Sequence, residues 1–172
     1  MVLATDRTTS NTPVEHVADH NAAHALLNGR VVVRKSADEI VNNSTTFQND
    51  NHLLFAVAAG ETWVGRFVIF HTGDATADIK FAVTFPASTT IMYGARVMNA
   101  SSNAVHTPGL ITTSGGSLGA SGNSAAGAVT EVMVACVATV AGTVTLQWAQ
   151  NVLTVADTTV KAGSFLIAER VT

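Results

Sequence analysis

The sequence predicts an all-β protein: an antiparallel jelly-roll-like sandwich preceded by one short N-terminal α-helix. Three features of the 172-residue chain lead there. Beyond residue 30, apolar and polar residues alternate with the two-residue period of half-buried strands. Turn dipeptides such as Ala59-Gly60, Gly73-Asp74, Ala141-Gly142 and Ala162-Gly163 recur between these runs. The strand–helix alternation of a doubly wound sheet is missing, and about eight or nine short strands at this spacing imply a sandwich or jelly roll.

The elements follow in order. Thr12-Pro-Val-Glu15 is a helix start, with Thr12 as cap, Pro13 at the first helical position and Glu15 placed to complete a capping box. Gly29 is the matching stop. Val14 to Asn28 contains no breaker, enough for about four turns. Residues 1–30 therefore read as an anchoring arm and helix, and residues 31–172 as the β-domain.

Strands are expected at Val31 to Lys35, then around Leu53, Phe55 and Val57. Trp63 to His71 is apolar on both faces except for Arg66, as in a central strand or a subunit contact. Ile79, Phe81, Val83 and Phe85 alternate with Lys80, Ala82 and Thr84, and Val144, Leu146 and Trp148 do so with Thr143, Thr145 and Gln147. Ile91 to Met98, Val129 to Val140 and Ser164 to Val171 complete the set. Thr112 to Gly127, rich in Gly, Ser, Ala and Thr, reads as a long mobile loop.

Charged residues make up only 12% of the chain, about half of what a soluble domain carries. No stretch is long and apolar enough to span a membrane, so much of the surface is expected to be covered by copies of the chain or by a larger assembly. The 47% of hydrophobic residues is dominated by Ala and Val, which suit closely packed sheets and subunit contacts. A net charge of -3 and nine scattered basic residues give no reason to expect nucleic acid. Only Arg34 and Lys35 are adjacent, as on a solvated strand end. Cys136 is the sole cysteine and reads as a small buried hydrophobe. Met1 to Asn11 lacks the pattern of a secretory signal, which places synthesis in the cytoplasm.

His16, His20 and His24 recur every four residues and stack along one helical stripe. Paired histidines at that spacing can bind a metal, but no HExxH is present. His16, His20, His24 and Leu27 are instead interaction candidates, without metal or cofactor, with Val17, His24 and Leu27 and either His20 or Asn21 forming a seam for parallel helices about a symmetry axis. Gly115-Gly-Ser-Leu-Gly119 matches a nucleophile elbow in letters only, because that elbow joins a strand to a helix and no histidine follows His106. The chain is therefore expected to be no enzyme. Asp74, Asp78 and Asp157 fit turn caps, and Trp63, Trp148, Phe67, Phe81 and Phe85 fit the core.

Asp19-His-Asn-Ala-Ala-His-Ala-Leu-Leu-Asn resembles the His-Asn-x-x-His helix near the amino termini of tail-fibre, minor tail and related virion proteins of bacteriophages, especially those of actinobacteria. Lys35-Ser-Ala-Asp-Glu, Gly142-Thr-Val-Thr-Leu-Gln-Trp-Ala-Gln-Asn and Thr159-Val-Lys-Ala-Gly-Ser-Phe-Leu are similar to a β-domain of the same group. Ser44-Thr-Thr-Phe-Gln-Asn-Asp-Asn-His-Leu-Leu-Phe-Ala-Val and Asp78-Ile-Lys-Phe extend the likeness. The resemblance implies a trimeric jelly-roll-like domain displayed on a virion, and it carries over no active-site residues. The chain lacks a repetitive shaft or heptad run, which favours a capsid decoration protein binding the major capsid protein on the outer head as a homotrimer. The alternative is a minor tail protein or short tail fibre contacting carbohydrate on the host surface.

Overall fold

In the computed structural model, residues 29–98, 105–106, 109–121 and 125–171 are described. The expected N-terminal helix, with His16, His20, His24 and Leu27, lies outside them. The described residues contain strands and turns and no helix.

Among the described residues twelve strands follow one another: β1 (Arg30–Arg34), β2 (Glu39–Val41), β3 (Gln48–Val57), β4 (Thr62–Gly73), β5 (Ile79–Thr84), β6 (Thr90–Met98), β7 (Val105–His106), β8 (Ala120–Ser121), β9 (Ala128–Val137), β10 (Gly142–Gln150), β11 (Thr158–Val160) and β12 (Phe165–Arg170). An eight-stranded sheet runs β1-β12-β4-β9-β6-β7, with β11 on the free part of β4 and β2 on β11. A four-stranded sheet runs β3-β10-β5-β8. The chain passes from one sheet to the other at β2–β3, β3–β4, β4–β5, β5–β6, β7–β8, β8–β9, β9–β10 and β10–β11. Set against each other, β1-β12-β4-β9 and β3-β10-β5-β8 have the double Greek-key order of a jelly-roll-like sandwich, and the β6–β7 pair is added beyond β9.

The core lies between the sheets. Trp63, Phe67 and Ile69 on β4, Val132, Val134 and Cys136 on β9, and Leu166 and Ala168 on β12 meet Leu53, Phe55, Phe81, Val83, Leu146 and Trp148 from the smaller sheet. Every aromatic expected in the core is buried there. Burial pushes the Cys136 thiol up, so it stays a protonated small hydrophobe. β4 is the central strand its sequence predicts, with β9 along one edge and β12 and β11 end to end along the other.

Two expectations need correction. The passage from Thr112 is no mobile loop as far as Ser121. Ile111 forms a bridge to Tyr93, Gly115 N–H donates to Val83 O at 2.9 Å and Leu118 N–H to Phe81 O at 2.8 Å, and β8 then pairs with β5. Backbone hydrogen bonds, one buried Leu118 and the Tyr93 hydroxyl achieve what the side-chain composition could not suggest. The solvated strand end at Arg34-Lys35 is half right: Arg34 is exposed, whereas Lys35 is fully buried. Strand alternation explains it, since Lys35 shares the inward face of Val31 and Val33.

Candidate functional site

The outer face of the larger sheet is the broadest unusual surface. Side chains opposite one another across antiparallel strands share a face, so the registers give its rows directly. One row is Glu169, Val64, Ala135 and Met92, the next Ile167, Arg66, Met133 and Gly94, the next Phe165, Val68, Glu131 and Arg96. Phe70 with Val129, and Thr62 with Val137 and Thr90, close the two ends. Met92, Met133, Val137, Val64, Val129 and Phe70 are 37% to 50% exposed. The face also carries Glu169, Arg66, Glu131 and Arg96, and Arg66 donates to Glu131 across the β4–β9 pair at 3.3 Å, a partly solvated contact worth little by itself. The face arises because β4 and β9 carry Val, Met and Phe at outward positions, where a free antiparallel sheet ordinarily carries polar residues.

The smaller sheet looks different from outside. Asn49 accepts a hydrogen bond from Gln147 Nε2 at 2.8 Å, Thr143 and Thr84 lie nearby in the pattern, and the Lys80 ammonium sits 4.9 Å from the centre of the Phe47 ring. That outer surface has the polar character of a wetted sheet.

A second feature sits where the two sheets share an open side. Lys35, immediately after β1, sends its ammonium inward onto the Asp50 carboxylate of β3, Nζ to Oδ2 2.9 Å, with both side chains 0% exposed. The same Nζ contacts Glu39 Oε2 on β2 and lies 3.5 Å from His52 Nδ1. His52 Nε2 is 3.0 Å from Ser36 Oγ. The backbone explains Asp50: the β3–β10 register skips between Leu54–Thr145 and Asn49–Gln147, leaving residues 50 to 53 bulged. Two amides of this bulge, His52 N–H and Leu53 N–H, donate to Asp50 Oδ1 at 2.9 Å each.

The electrostatics follow from the contacts. Burial works against charge on Asp50, but Lys35 and the two backbone amides outweigh it and hold the carboxyl below its usual range. Burial pushes the Glu39 carboxyl up, with the Lys35 ammonium pulling against it and the neighbouring Asp50 adding to it. Glu39, Asp50 and His52 also bring ligand atoms within 4.8 Å of one another, a spacing that suits a metal ion. The Lys35 ammonium already answers both carboxylates, so the chain supplies its own cation there.

Other residues singled out in the sequence fall into place individually. Ser117 is exposed, and its Oγ accepts Gly119 N–H at 3.2 Å in a turn leading to β8, so the elbow geometry of strand, nucleophile and helix is not formed. Asp74 caps its turn, accepting Thr76 N–H at 2.7 Å, and Asp157 accepts from Asn42 Nδ2 at 2.8 Å. His16, His20, His24 and Leu27 are outside the described residues. The Lys35 cluster was missed although its signal was present, namely a lysine on the apolar side of the β1 alternation.

Neither a family model nor a curated protein sequence matches the chain. Among solved structures, one described as "CBM4 structure and function" aligns with 83% of this chain and 96% of its own, at 12% identity and a TM-score of 0.34. A likeness of that degree has no bearing on what the chain does.

Proposed function

We propose that the chain is a non-enzymatic bacteriophage structural protein that associates as a homotrimer and decorates the outer capsid. The observation that carries this reading is the exposed apolar face of the larger sheet, on a chain with few charges to keep such a face wet. The resemblance of residues 19–28 and of the β-domain segments to phage virion proteins supplies the setting. In this reading a second copy of the chain covers the β4–β9 face, and residues 1–28 make the attachment to the major capsid protein. Association gains about 25 cal/mol per Å² of apolar area buried, before the cost of lost motion is deducted.

Mass photometry of the purified chain tests the assembly, with a trimer expected at micromolar concentration. The paired substitution Val64→Lys and Met133→Lys places two charges on the face at exposed positions. It is expected to yield a folded monomer, because neither side chain belongs to the core. A double variant that assembles like the wild type rules this face out as the contact. Electron microscopy of the particle fixes the location: copies arrayed over the head support decoration, and a few copies at the tail support the tail alternative.

A further inference from the structure

Lysine is among the residues least often buried, and here its amine is pressed against a buried carboxylate and touches a second one. An ion pair shut away from water is a weak source of stability, since desolvation offsets most of the attraction. The same arrangement is well suited to chemistry, because an amine and a carboxylic acid can condense to an amide once water is excluded and both are held in contact.

We propose that Lys35 and Asp50 join spontaneously through an amide bond between Nζ and Cγ, assisted by Glu39. The Asp50 carbonyl carbon lies one bond beyond the Oδ2 atom that Nζ contacts at 2.9 Å. Transfer of a proton from the Lys35 ammonium to Asp50 Oδ2 within that contact leaves, transiently, a neutral amine beside a neutral acid, the reactive form of a pair whose contacts keep Asp50 ionised at rest. The nitrogen lone pair then attacks Cγ, and the C=O electron pair moves onto Oδ1. His52 N–H and Leu53 N–H, both 2.9 Å from Oδ1, receive the developing oxyanion.

Glu39 completes the proton traffic. Its carboxyl touches Lys35 Nζ and brings an oxygen within 4.8 Å of the Asp50 carboxylate, so it takes a proton from the attacking nitrogen and gives one to Oδ2. Oδ2 departs as water, Oδ1 collapses to the carbonyl, and the nitrogen keeps one hydrogen. Three hydrogens on the ammonium become one on the amide and two in water, with no oxidant, reductant or cofactor. His52 stands beside the nitrogen, 3.5 Å away, and its tautomer with a proton on Nε2 presents a lone pair to it while donating to Ser36 Oγ. The bond ties the end of β1, an edge of the larger sheet, to β3, an edge of the smaller one. It closes the open side of the sandwich where no β-ladder can.

Intact-mass spectrometry of the full-length chain, denatured after purification, reads the bond directly. The expected mass is one water below that of the sequence, and proteolysis should release a branched peptide containing both Lys35 and Asp50. Full mass without that peptide overturns the proposal. Asp50→Ala and Lys35→Ala should each have the full mass of their own sequences, and a water-deficient Asp50→Ala variant overturns the assignment of the acceptor. Glu39→Gln keeps the shape while removing the proton carrier. It is expected to fold and stay largely unlinked after hours at neutral pH, and complete linkage in that variant overturns the role of Glu39.

Discussion

Glu61 lies between β3 and β4 and gathers three donors on one carboxylate. Ala58 N–H and the Trp63 indole N–H donate to Oε2 at 2.8 and 2.9 Å, and Arg170 Nη1 donates to Oε1 at 2.7 Å. It thereby ties the turn to the core and to the end of β12. The Ala58 amide first, then Arg170 and Trp63, push its carboxyl down to about 2 from an ordinary 4.5. Because the folded value is depressed, the stabilisation is fully present above the unfolded value and is lost as pH falls through the folded one. Partial exposure screens the interaction, so its worth is about 1 kcal/mol. Glu61→Gln should lose about that much at pH 7 and show a flatter decline between pH 5 and pH 2, read from urea unfolding across that range. A variant with an unchanged acid limb would show that the three contacts contribute no net stability. Asp38 and Asp74, also depressed by Lys161 and by the Thr76 amide respectively, leave a residual acid sensitivity in either protein.

At the scale of elements, the long strands were legible and the short ones were not. Ile79, Phe81 and Val83 alternate cleanly because β5 has one face on the core, so periodicity alone locates it. β11 consists of Thr158, Thr159 and Val160, all buried, and its polar letters say nothing of that. Its burial depends on distant partners: Gln150 Nε2 donates to Ala156 O at 2.7 Å and its Oε1 accepts Ser44 N–H at 3.2 Å, folding the 151–157 loop beneath. The segment from residue 111 to 119 depends likewise on one residue elsewhere. The Tyr93 hydroxyl is shared between the carbonyls of Gly116 at 2.5 Å and Thr113 at 3.2 Å, and Ser114 Oγ accepts Phe85 N–H at 2.9 Å. Tyr93→Phe removes the first anchor without a cavity at the ring, a loss of about 1 kcal/mol. Amide exchange should quicken at residues 113 to 119 while the β4–β9 ladder keeps its protection, and uniform protection in the variant would mean that the backbone bonds alone fix the segment.

The whole chain divides into residues 1–30 and residues 31–172, and the second unit holds its complete core, from Val31 and Val33 on β1 to Ala168 on β12. Composition led to the expectation of an associating protein, but it pointed to no particular face. The face proposed for it is defined by the registers of β12, β4, β9 and β6, which put Val64, Met133 and Met92 together. The proposed function gives each unit one contact: copy to copy through the sheet, and attachment to the capsid through the N-terminal residues. They separate experimentally. A chain lacking residues 1–28 retains every strand and every core residue named above, so it should melt within a few degrees of the full chain. In the proposed reading, copy-to-copy association gains mainly from the exposed Val, Met and Phe side chains and should survive raised salt, where screened contacts fade. Binding to shells stripped of the protein should vanish, as judged by co-sedimentation with the particles. A truncated chain that still sediments with them places the attachment on the β-domain itself, and the division of roles between the two units fails.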